Sequence, residues 1–419
     1  MSNFEYIRAT DFDRAWLNFE LDLPLEPGEG GKSNPFYIDR PGNPIAELED
    51  ALLAPFYRPP KFFFSGHRGC GKSTELLHLM GDQEIRKKYW PINFSIREEA
   101  DIIDLDFRDV LLAIGGRMYR EYRKQGGELP TQLLKDLDGW RGRVQEEITT
   151  VLAHRPEIEI SAAIDAFFAT AGMKMKLEPA TRKQIRQVIE KDITGLIDVI
   201  NNISNAIWKK EGLIPLVLID DMDKPSLEEA RAIFQDRREI MMQPNCAIVY
   251  TVSSALFYSK DFDAIRDRAI FLPNIKLHPR LAPNQQHQQG YDTLREFTYL
   301  RMDTKLIDYQ ALENAISDSG GVFREMARIM RTAIGRARRR LASQVECVDV
   351  EWATTEIRNE YRRILDQEDL EILRGVHEHN RLEYSDRIKP LLQLLAILEY
   401  RNGENWCDIH PALRKLLYE

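Results

Sequence analysis

One short stretch, residues 61–74, restricts the fold of this chain more than any other part of the sequence. It reads KFFFSGHRGCGKST, so three phenylalanines run into a turn that contains three glycines and ends in Lys-Ser-Thr. A run as apolar as this one is typical of a strand buried on both faces of a sheet. Glycines allow the backbone to approach another group closely and to adopt dihedral angles that other residues avoid. The sequence therefore predicts a central strand, then a glycine-rich loop (residues 66–74), then a helix.

The spacing within the glycine-rich loop predicts a phosphate site. Residues 66–73 match G-x-x-x-x-G-K-[ST], between a strand and a helix as that pattern requires. Backbone N–H groups converge on phosphate oxygens in such loops, and the helix N-terminus adds its positive end. We expect Lys72 to reach the β- and γ-phosphates and the Ser73 hydroxyl to bind Mg²⁺. A chance glycine-rich turn is the alternative. The loop residues predicted to bind nucleotide are Gly66, His67, Arg68, Gly69, Cys70, Gly71, Lys72, Ser73 and Thr74.

A second motif, LVLIDDMD at 216–223, follows about 150 residues later. Its apolar residues end in Asp220 and Asp221, as when a buried strand delivers carboxylates to a site at its C-terminal edge. We expect Asp220 to be the outer-shell partner of the magnesium ion and Asp221 to position or deprotonate the attacking water. A strand that ends in a solvated acidic turn is the alternative. Asp221 is one methylene shorter than the Glu usual in fast ATPases, so we expect slow hydrolysis.

Strand and helix patterns alternate through the first two thirds of the chain. Apolar strand patterns lie at 61–65, 90–96, 213–221, 246–253 and 269–277, with helical patterns at 72–88, 104–124 and 226–242. This order predicts an α/β fold in three layers, with a parallel sheet between helices. Residues 127–210 interrupt it as a mainly helical insertion. Within them, 181–209 has the period of one long helix, whereas 157–161 and 173–178 alternate with period two and favour short strands.

The chain beyond residue 280 has helical patterns, and its last segment adds a hairpin signal at Asn402-Gly403. Helices around a hairpin in a terminal segment of this size predict a winged helix. We therefore expect four parts: an irregular lead-in at 1–35, a nucleotide domain at 36–280, a helical lid at 281–345 and a winged-helix domain at 346–419.

The composition of the chain restricts its possible ligands and its location in the cell. The net charge of −9 argues against general nucleic-acid binding, so any such contact must be a local patch. The four cysteines are far apart, which fits free thiols in a reducing cytoplasm and gives no zinc pattern. No stretch reaches the roughly 18 apolar residues of a membrane helix, and no secretion signal is visible. We expect a cytoplasmic protein without a membrane partner.

The two motifs in this order resemble those of the AAA+ superfamily and the related STAND signalling ATPases, most closely the branch of the initiator (origin-recognition) ATPases. The resemblance covers most of the chain outside 127–210. It implies ATP or ADP with Mg²⁺ as ligands, and a P-loop NTPase core followed by a lid and a winged helix. FYIDRPGNPIAELEDALL at 36–53 resembles the segment that holds the adenine in these families, which implies contacts from Phe36 and Tyr37.

The same resemblance implies three further roles. YTVSS at 250–254 falls where these families have a polar residue that senses the γ-phosphate, so either Thr251 or Ser253 has that role. AIRDRAIFLP at 264–273 resembles the stretch with the arginine finger, with Arg268 the first choice and Arg266 the second. SGGVFREMARIMRTA at 319–333 resembles the lid helix, in which Arg324 matches sensor 2. The hydroxyls could instead cap the strand, and the two finger candidates could be surface arginines. Because many STAND proteins lack a finger in trans, ring assembly stays open.

Residues 322–341, the arginine helix, have an apolar stripe and seven arginines opposed only by Glu325. One interpretation is a surface at 324–340 that contacts DNA phosphates beside the winged helix. The other, which we prefer, is a lid helix whose basic face covers ATP or pairs with acidic residues of the chain.

Three functions are compatible with these features. The first is an ATP-dependent switch that regulates a protein partner or effector chain in a prokaryotic defence or stress system, with homo-oligomers possible. The second is an initiator-like loader that binds DNA. The third is a scaffold with ATP as a structural ligand.

Overall fold

A computed structural model describes residues 4–23, 25–28, 33–147, 160–257, 265–382, 386–402 and 404–418. The strands are β1 Lys61–Gly66, β2 Tyr89–Ser95, β3 Ile214–Asp220, β4 Ala247–Ser253, β5 Ala269–Leu272, β6 Ile397–Asn402 and β7 Glu404–Ile409. The helices are α1 Phe12–Asn18, α2 Ala46–Leu53, α3 Lys72–Gly81, α4 Gln83–Lys88, α5 Ile96–Glu99, α6 Phe107–Lys124, α7 Thr131–Glu147, α8 Ile160–Leu177, α9 Pro179–Lys191, α10 Ile193–Glu211, α11 Leu227–Arg231, α12 Arg238–Met241, α13 Ser254–Phe257, α14 Gln288–Arg301, α15 Tyr309–Asp318, α16 Phe323–Arg339, α17 Cys347–Ile364, α18 Gln367–His379 and α19 Ile388–Gln393.

The central sheet has the order β2-β3-β4-β1-β5. Strands β2 and β3 run parallel, with Ser95 opposite Asp220 at their ends, and β3 and β4 are parallel as well. Every residue of β4 is buried, as are Phe63 and Phe64 in β1, so both faces of the sheet are covered at these strands. The predicted α/β fold with a largely parallel sheet is confirmed, and β1 lies inside it as its phenylalanines require.

The chain forms two compact units. The first contains residues 1–47, 66–81 and 271–419, and the second contains 48–65 and 82–270. The glycine-rich loop and the arginine helix belong to the first unit. Asp220, Asp221 and most of the central sheet belong to the second.

The insertion in the second unit consists of helices α7 to α10 where it is described. Residues 173–177 lie in α8, so the strand prediction for 173–178 is wrong, and most of 157–161 lies outside the described residues. Ile164, Phe168 and Met175 are all buried, which is the period of a helix packed on a core rather than that of a strand. Packing against the core therefore favours a helix here, although the local sequence alternates like a strand.

Two predicted long helices are broken in the structure. The pattern at 181–209 is divided between α9 and α10, because the Asp192 side chain accepts the N–H of Gly195 and begins a new helix. The pattern at 72–88 is likewise divided, since Asp82 caps α4 by accepting the N–H groups of Glu84 and Ile85. The predicted helix at 226–242 contains one wider, π-type turn at Ala232–Asp236 between α11 and α12.

In the first unit, the arginine helix α16 packs against α1, α15 and α17. Strands β6 and β7 form an antiparallel hairpin that pairs Ile397 with Ile409 and Asn402 with Glu404, which confirms the hairpin prediction; Gly403 lies outside the described residues. Helices α17 to α19 precede this hairpin, as in a winged helix. After it the chain forms two short 3-10 turns, Pro411–Leu413 and Leu416–Tyr418, where a further α-helix was predicted.

None of the helices in the described ranges combines the length and the apolar character needed to cross a membrane.

Candidate functional site

The backbone of the glycine-rich loop needs its glycines. Gly69 and Gly71 have φ angles of 78° and 103°, which side chains rarely tolerate. A Cβ atom on Gly66 would lie 2.7 Å from the carbonyl oxygen of Leu272, and one on Gly69 would overlap the side chain of Arg324. The loop is therefore closely packed and turns its backbone in the way that a phosphate cradle requires.

Arg324 lies directly on this loop. Its backbone N–H donates a hydrogen bond to the carbonyl of Gly69 at 3.1 Å. The ring of the preceding Phe323 lies 3.6 Å from the position that a Cβ on Gly71 would occupy. The arginine helix thus begins on the loop, and the structure brings the predicted sensor 2 residue together with the predicted phosphate site.

Lys72 lies inside the loop, whereas the two hydroxyl residues after it are more accessible. The Lys72 ammonium is buried and donates to the carbonyls of Gly66 at 2.9 Å and of His67 at 3.1 Å. Ser73 is exposed and Thr74 is half-buried at the start of α3. A cation close to the loop carbonyls and an exposed serine at the helix N-terminus fit the binding of a phosphate with its metal ion.

His67 has a different position from the one expected of a nucleotide contact. Its ring is fully buried, and Nε2 accepts a hydrogen bond from the backbone N–H of Glu399 in β6 at 2.9 Å. Burial, and next the charge of Lys72, lower the pKa of His67 to about 3, with a backbone hydrogen bond at Leu392 acting in the opposite direction. The ring is neutral and links the loop to the hairpin. Of its loop neighbours, Arg68 is exposed and Cys70 is buried.

The segment predicted to hold the adenine packs behind the loop. Tyr37 stacks on His78 with ring centroids 4.1 Å apart and lies 3.2 Å from Glu75, both residues of α3. Phe36 is buried beneath the guanidinium of Arg301, 4.9 Å from its ring centroid. The ring of Phe36 is therefore part of the packed interior.

Arg40, which sequence reasoning missed, supports the loop from the same segment. Its guanidinium donates to the carbonyl of Cys70 at 3.1 Å and to that of Pro273 at 2.6 Å. Arg40 is almost fully buried, so these bonds compensate a charge that would otherwise be costly. Its only sequence signal is its position between Asp39 and a Pro-Gly turn.

The arginines of the arginine helix pair with carboxylates on both of its sides. Towards the N-terminal segment, Arg324 pairs with Asp22, Arg331 with Glu20, and Arg338 with Asp13. Towards α17, the pairs are Arg328 with Glu360, Arg336 with Asp349, and Arg340 with Asp349 and Glu346. Over the described residues, Arg339 alone of the seven has no carboxylate within ion-pair distance. The basic face is neutralised within the first unit.

In the second unit, the end of β3 holds its two carboxylates in fixed positions. Asp220 accepts the N–H of Asp221 at 2.8 Å, and Asp221 has a left-handed φ of 61°. The Ser95 hydroxyl at the end of β2 donates to Oδ2 of Asp221 at 2.6 Å, with Nε of Arg97 at 3.9 Å from the same oxygen. Sequence reasoning missed Ser95 and Arg97, because only the strand pairing brings them to Asp221.

The two sensor candidates both bond to the backbone. Thr251 is fully buried, donates to the carbonyl of Ile219 at 3.2 Å and accepts the N–H of Met222 at 3.0 Å. It therefore holds the turn that contains Asp220 and Asp221. Ser253 accepts the N–H of Ala255 at 3.2 Å, as the capping alternative predicts.

The finger candidates are exposed. Arg266 and Arg268 lie in a 3-10 turn directly before β5. Burial lowers the pKa of Lys61, the first residue of β1, and the charge of Arg268 adds to this lowering. Arg268 thus lies near the start of β1, whereas the glycine-rich loop follows its end. No group of three or more His, Cys, Asp or Glu side chains in the described ranges could hold a metal ion.

Comparison with known proteins finds similar solved structures but no matching protein family. No family model and no curated protein matches this sequence. Among solved structures, the chain is similar to Cdc6p from Pyrobaculum aerophilum, at 11% identity over 92% of this chain and 96% of that one, with a TM-score of 0.41. It is also similar to the ORC2 protein of Aeropyrum pernix with ADPNP and ADP, at 12% identity over 96% and 95%, with a TM-score of 0.43. The RuvB Holliday junction branch migration motor of Thermotoga maritima matches at 11% identity over 92% and 99%, with a TM-score of 0.38.

Proposed function

We propose that this chain binds ATP with Mg²⁺ at the glycine-rich loop, hydrolyses it slowly, and acts as a nucleotide-controlled switch on a partner protein. The observation that carries the proposal is the loop itself. Its left-handed glycines, its buried lysine and the start of α3 provide the backbone path, the cation and the helix N-terminus that the binding of a phosphate needs.

In this proposal three residues at the loop have defined tasks. Lys72 would exchange the carbonyls of Gly66 and His67 for the β- and γ-phosphate oxygens, which are stronger acceptors because they are charged. The exposed Ser73 hydroxyl would bind Mg²⁺, which screens the phosphate charges when it is bound. The backbone N–H of Arg324 is hydrogen-bonded to the Gly69 carbonyl in the loop. In this proposal the Arg324 guanidinium is therefore the cation that binds the γ-phosphate.

We include Asp220 and Asp221 in the same proposal on the strength of their sequence motif, a buried strand that ends in two carboxylates. Asp220 would orient the water ligands of the magnesium ion, and Asp221 would orient the attacking water. The hydrogen bond from Ser95 already occupies Oδ2 of Asp221, so a water must use its other oxygen or displace Ser95. This restriction supports slow turnover.

A partner protein is favoured over DNA as the target of the switch. The arginines expected to contact DNA phosphates are paired with carboxylates of the same unit, apart from Arg339. Binding DNA would require most of these pairs to break. The setting that we propose is a cytoplasmic defence or stress system of a prokaryote, with the effector on another chain and assembly into homo-oligomers as an additional possibility.

Calorimetric titration of the whole protein with ATP and Mg²⁺ tests the proposal. Lys72→Ala should weaken ATP binding by roughly 30-fold to 100-fold, because it removes charge-assisted hydrogen bonds to two phosphates. Lys87→Ala is the matched control, since Lys87 is an exposed lysine paired with Glu84 on α4. Equal affinities for all three proteins, or no binding at all, would overturn the proposed ATP site.

A further inference from the structure

We propose that residues 11–22, the N-terminal strap, cover the arginine helix and that Asp22 competes with the γ-phosphate of ATP for Arg324. The strap would then be held when ADP is bound and loosened at one end when ATP is bound. This inference rests on the proposed ATP site and specifies how that site is regulated.

The strap and the arginine helix have matched charges in antiparallel order. Three acidic side chains of the strap, Asp13, Glu20 and Asp22, pair in this order with Arg338, Arg331 and Arg324 of the helix. The fourth, Asp11, caps α1 by accepting the N–H of Arg14. These three arginines recur every seven residues, which is close to two helical turns, so they lie on one face. A segment that runs along this face of the helix can therefore pair with all three arginines.

The middle of the strap is anchored by more than charge. The guanidinium of Arg331 lies 3.6 Å from the ring centroid of Trp16, close enough for a cation–π contact. Ala15 and Phe19 are fully buried, and Asn18 donates to the carbonyl of Arg301 at 2.7 Å. These contacts involve no nucleotide-binding residue, so the central part of the strap has its own reasons to stay in place.

The end of the strap at Asp22 is held much less firmly. The side chain of Asp22 is 80% exposed, and that of Arg324 is 24% exposed. Exposed ion pairs contribute little, because water and salt screen them. The γ-phosphate group of ATP carries more negative charge than the single charge of this carboxylate, and it would be bound at the loop that the backbone of Arg324 already contacts. Of the three ion pairs between the strap and the arginine helix, the Arg324–Asp22 pair is therefore the one that a nucleotide can displace.

The competition depends on which nucleotide is present. Only ATP carries the γ-phosphate that Arg324 would bind, so ADP leaves the pair with Asp22 intact. The Arg338 pair lies roughly 21 Å further along the helix axis, beyond the reach of a nucleotide in the loop. The strap would thus respond at residues 21–22 and remain anchored from Ala15 to Glu20.

Two single substitutions with the same change in charge test this. Asp22→Asn should bind ATP about twofold to fivefold more tightly than wild type, the range expected for release of one exposed pair, with ADP affinity unchanged. Asp13→Asn removes the pair with Arg338 and should leave both affinities near wild type. Raising the salt to about 0.5 M should reduce the difference between wild type and Asp22→Asn, because screening weakens the pair.

Hydrogen exchange of the backbone amides at 12–22 gives a second measurement on the same proteins. In wild type, a non-hydrolysable ATP analogue should accelerate exchange at 21–22 relative to ADP, whereas in Asp22→Asn the two nucleotides should give the same fast exchange there. If wild type binds ATP but Asp22→Asn has the same ATP affinity and the same nucleotide-dependent exchange, the competition is wrong and the ATP site stands. If wild type binds no ATP, the proposed function fails, and the competition fails with it.

Discussion

The imidazole of His67 in the glycine-rich loop accepts a hydrogen bond from the backbone N–H of Glu399, at an N···N distance of 2.9 Å. The two residues are 332 positions apart, and the ring that joins them is fully buried. A residue within the predicted phosphate site is therefore part of the contact between the loop and the C-terminal hairpin. A shift of the loop would be transmitted to β6 through this bond.

The burial of His67 leads to a prediction about pH. Its pKa in the folded chain is about 3, against about 6.5 in an unfolded chain, so below pH 6.5 the unfolded chain takes up a proton that the folded one does not. Stability is thus fully present above pH 6.5 and falls as the pH is lowered towards 3. Between pH 7.5 and 5.0 this residue should remove about 2 kcal/mol from the free energy of unfolding.

Urea unfolding of wild type and His67→Gln at the two pH values measures this contribution. The glutamine carbonyl has an acceptor for the Glu399 N–H and does not titrate, so the variant should lose about 2 kcal/mol less than wild type on acidification. Parallel losses in the two proteins would mean that His67 is accessible to protons in the folded state.

Asp221→Asn should bind ATP as wild type does but release phosphate at least about 100-fold more slowly, since an amide cannot accept the proton of the attacking water. Asp220→Asn should instead raise the Mg²⁺ concentration needed for half-maximal turnover.

Ser95→Ala is the informative third variant. It removes only the hydroxyl bonded to Asp221, so turnover should persist or increase. Phosphate release at wild-type rate by Asp221→Asn would assign the water to another residue.

The loop and the central sheet could be predicted from the sequence, because both depend on local requirements. A run such as Phe63-Phe64 has few stable places outside a covered sheet, and the glycine spacing matches a demanding backbone path. The strand prediction at 173–178 failed for the opposite reason: local alternation around Met175 gave no information about the core against which this residue packs. Local pattern is decisive only where few folds can accommodate it.

The residues that support the candidate site could not be identified from local sequence patterns. Asp22 reaches Arg324 across 302 positions and Arg40 reaches Cys70 across 30. Asp22 stands in no motif, and nothing within the 36–53 segment distinguishes Arg40 as a support of the loop. Each acquires its role from the tertiary arrangement. The same holds for Thr251, whose bonds to the turn after β3 could not be distinguished from a sensor contact by sequence.

Arg268 stays a prediction as a finger in trans. If the protein assembles, mixing Arg268→Ala with Lys72→Ala subunits should restore part of the ATPase rate, because one interface would combine an intact loop with an intact arginine. Each variant alone should be inactive or nearly so. Wild-type turnover by Arg268→Ala alone, measured at a concentration where the protein is assembled, would identify Arg268 as an ordinary surface residue.

The pairing of the arginine helix predicts weak DNA binding. Duplex binding by wild type should stay at the non-specific level, without a steep dependence on salt. Arg338→Ser with Arg339→Ser is a suitable double variant, since both side chains are exposed and neither pairs with the buried Asp349. If the helix does grip DNA, wild type should have a steep log–log salt slope that becomes shallower by about 2 in the variant. That result would favour the DNA-loader function.

The first compact unit is built from residues 1–47, 66–81 and 271–419, so two stretches of the second unit interrupt it along the chain. A truncation after residue 270 would retain the glycine-rich loop but delete both Arg324 and Glu399, its partners in hydrogen bonds. A fragment that starts at 271 would lack α1 and the loop altogether. No single cut yields this unit whole. Genetic dissection of the protein must therefore rely on point variants or on complementing fragments expressed together, and a deletion that abolishes activity will not by itself identify the part that carries it.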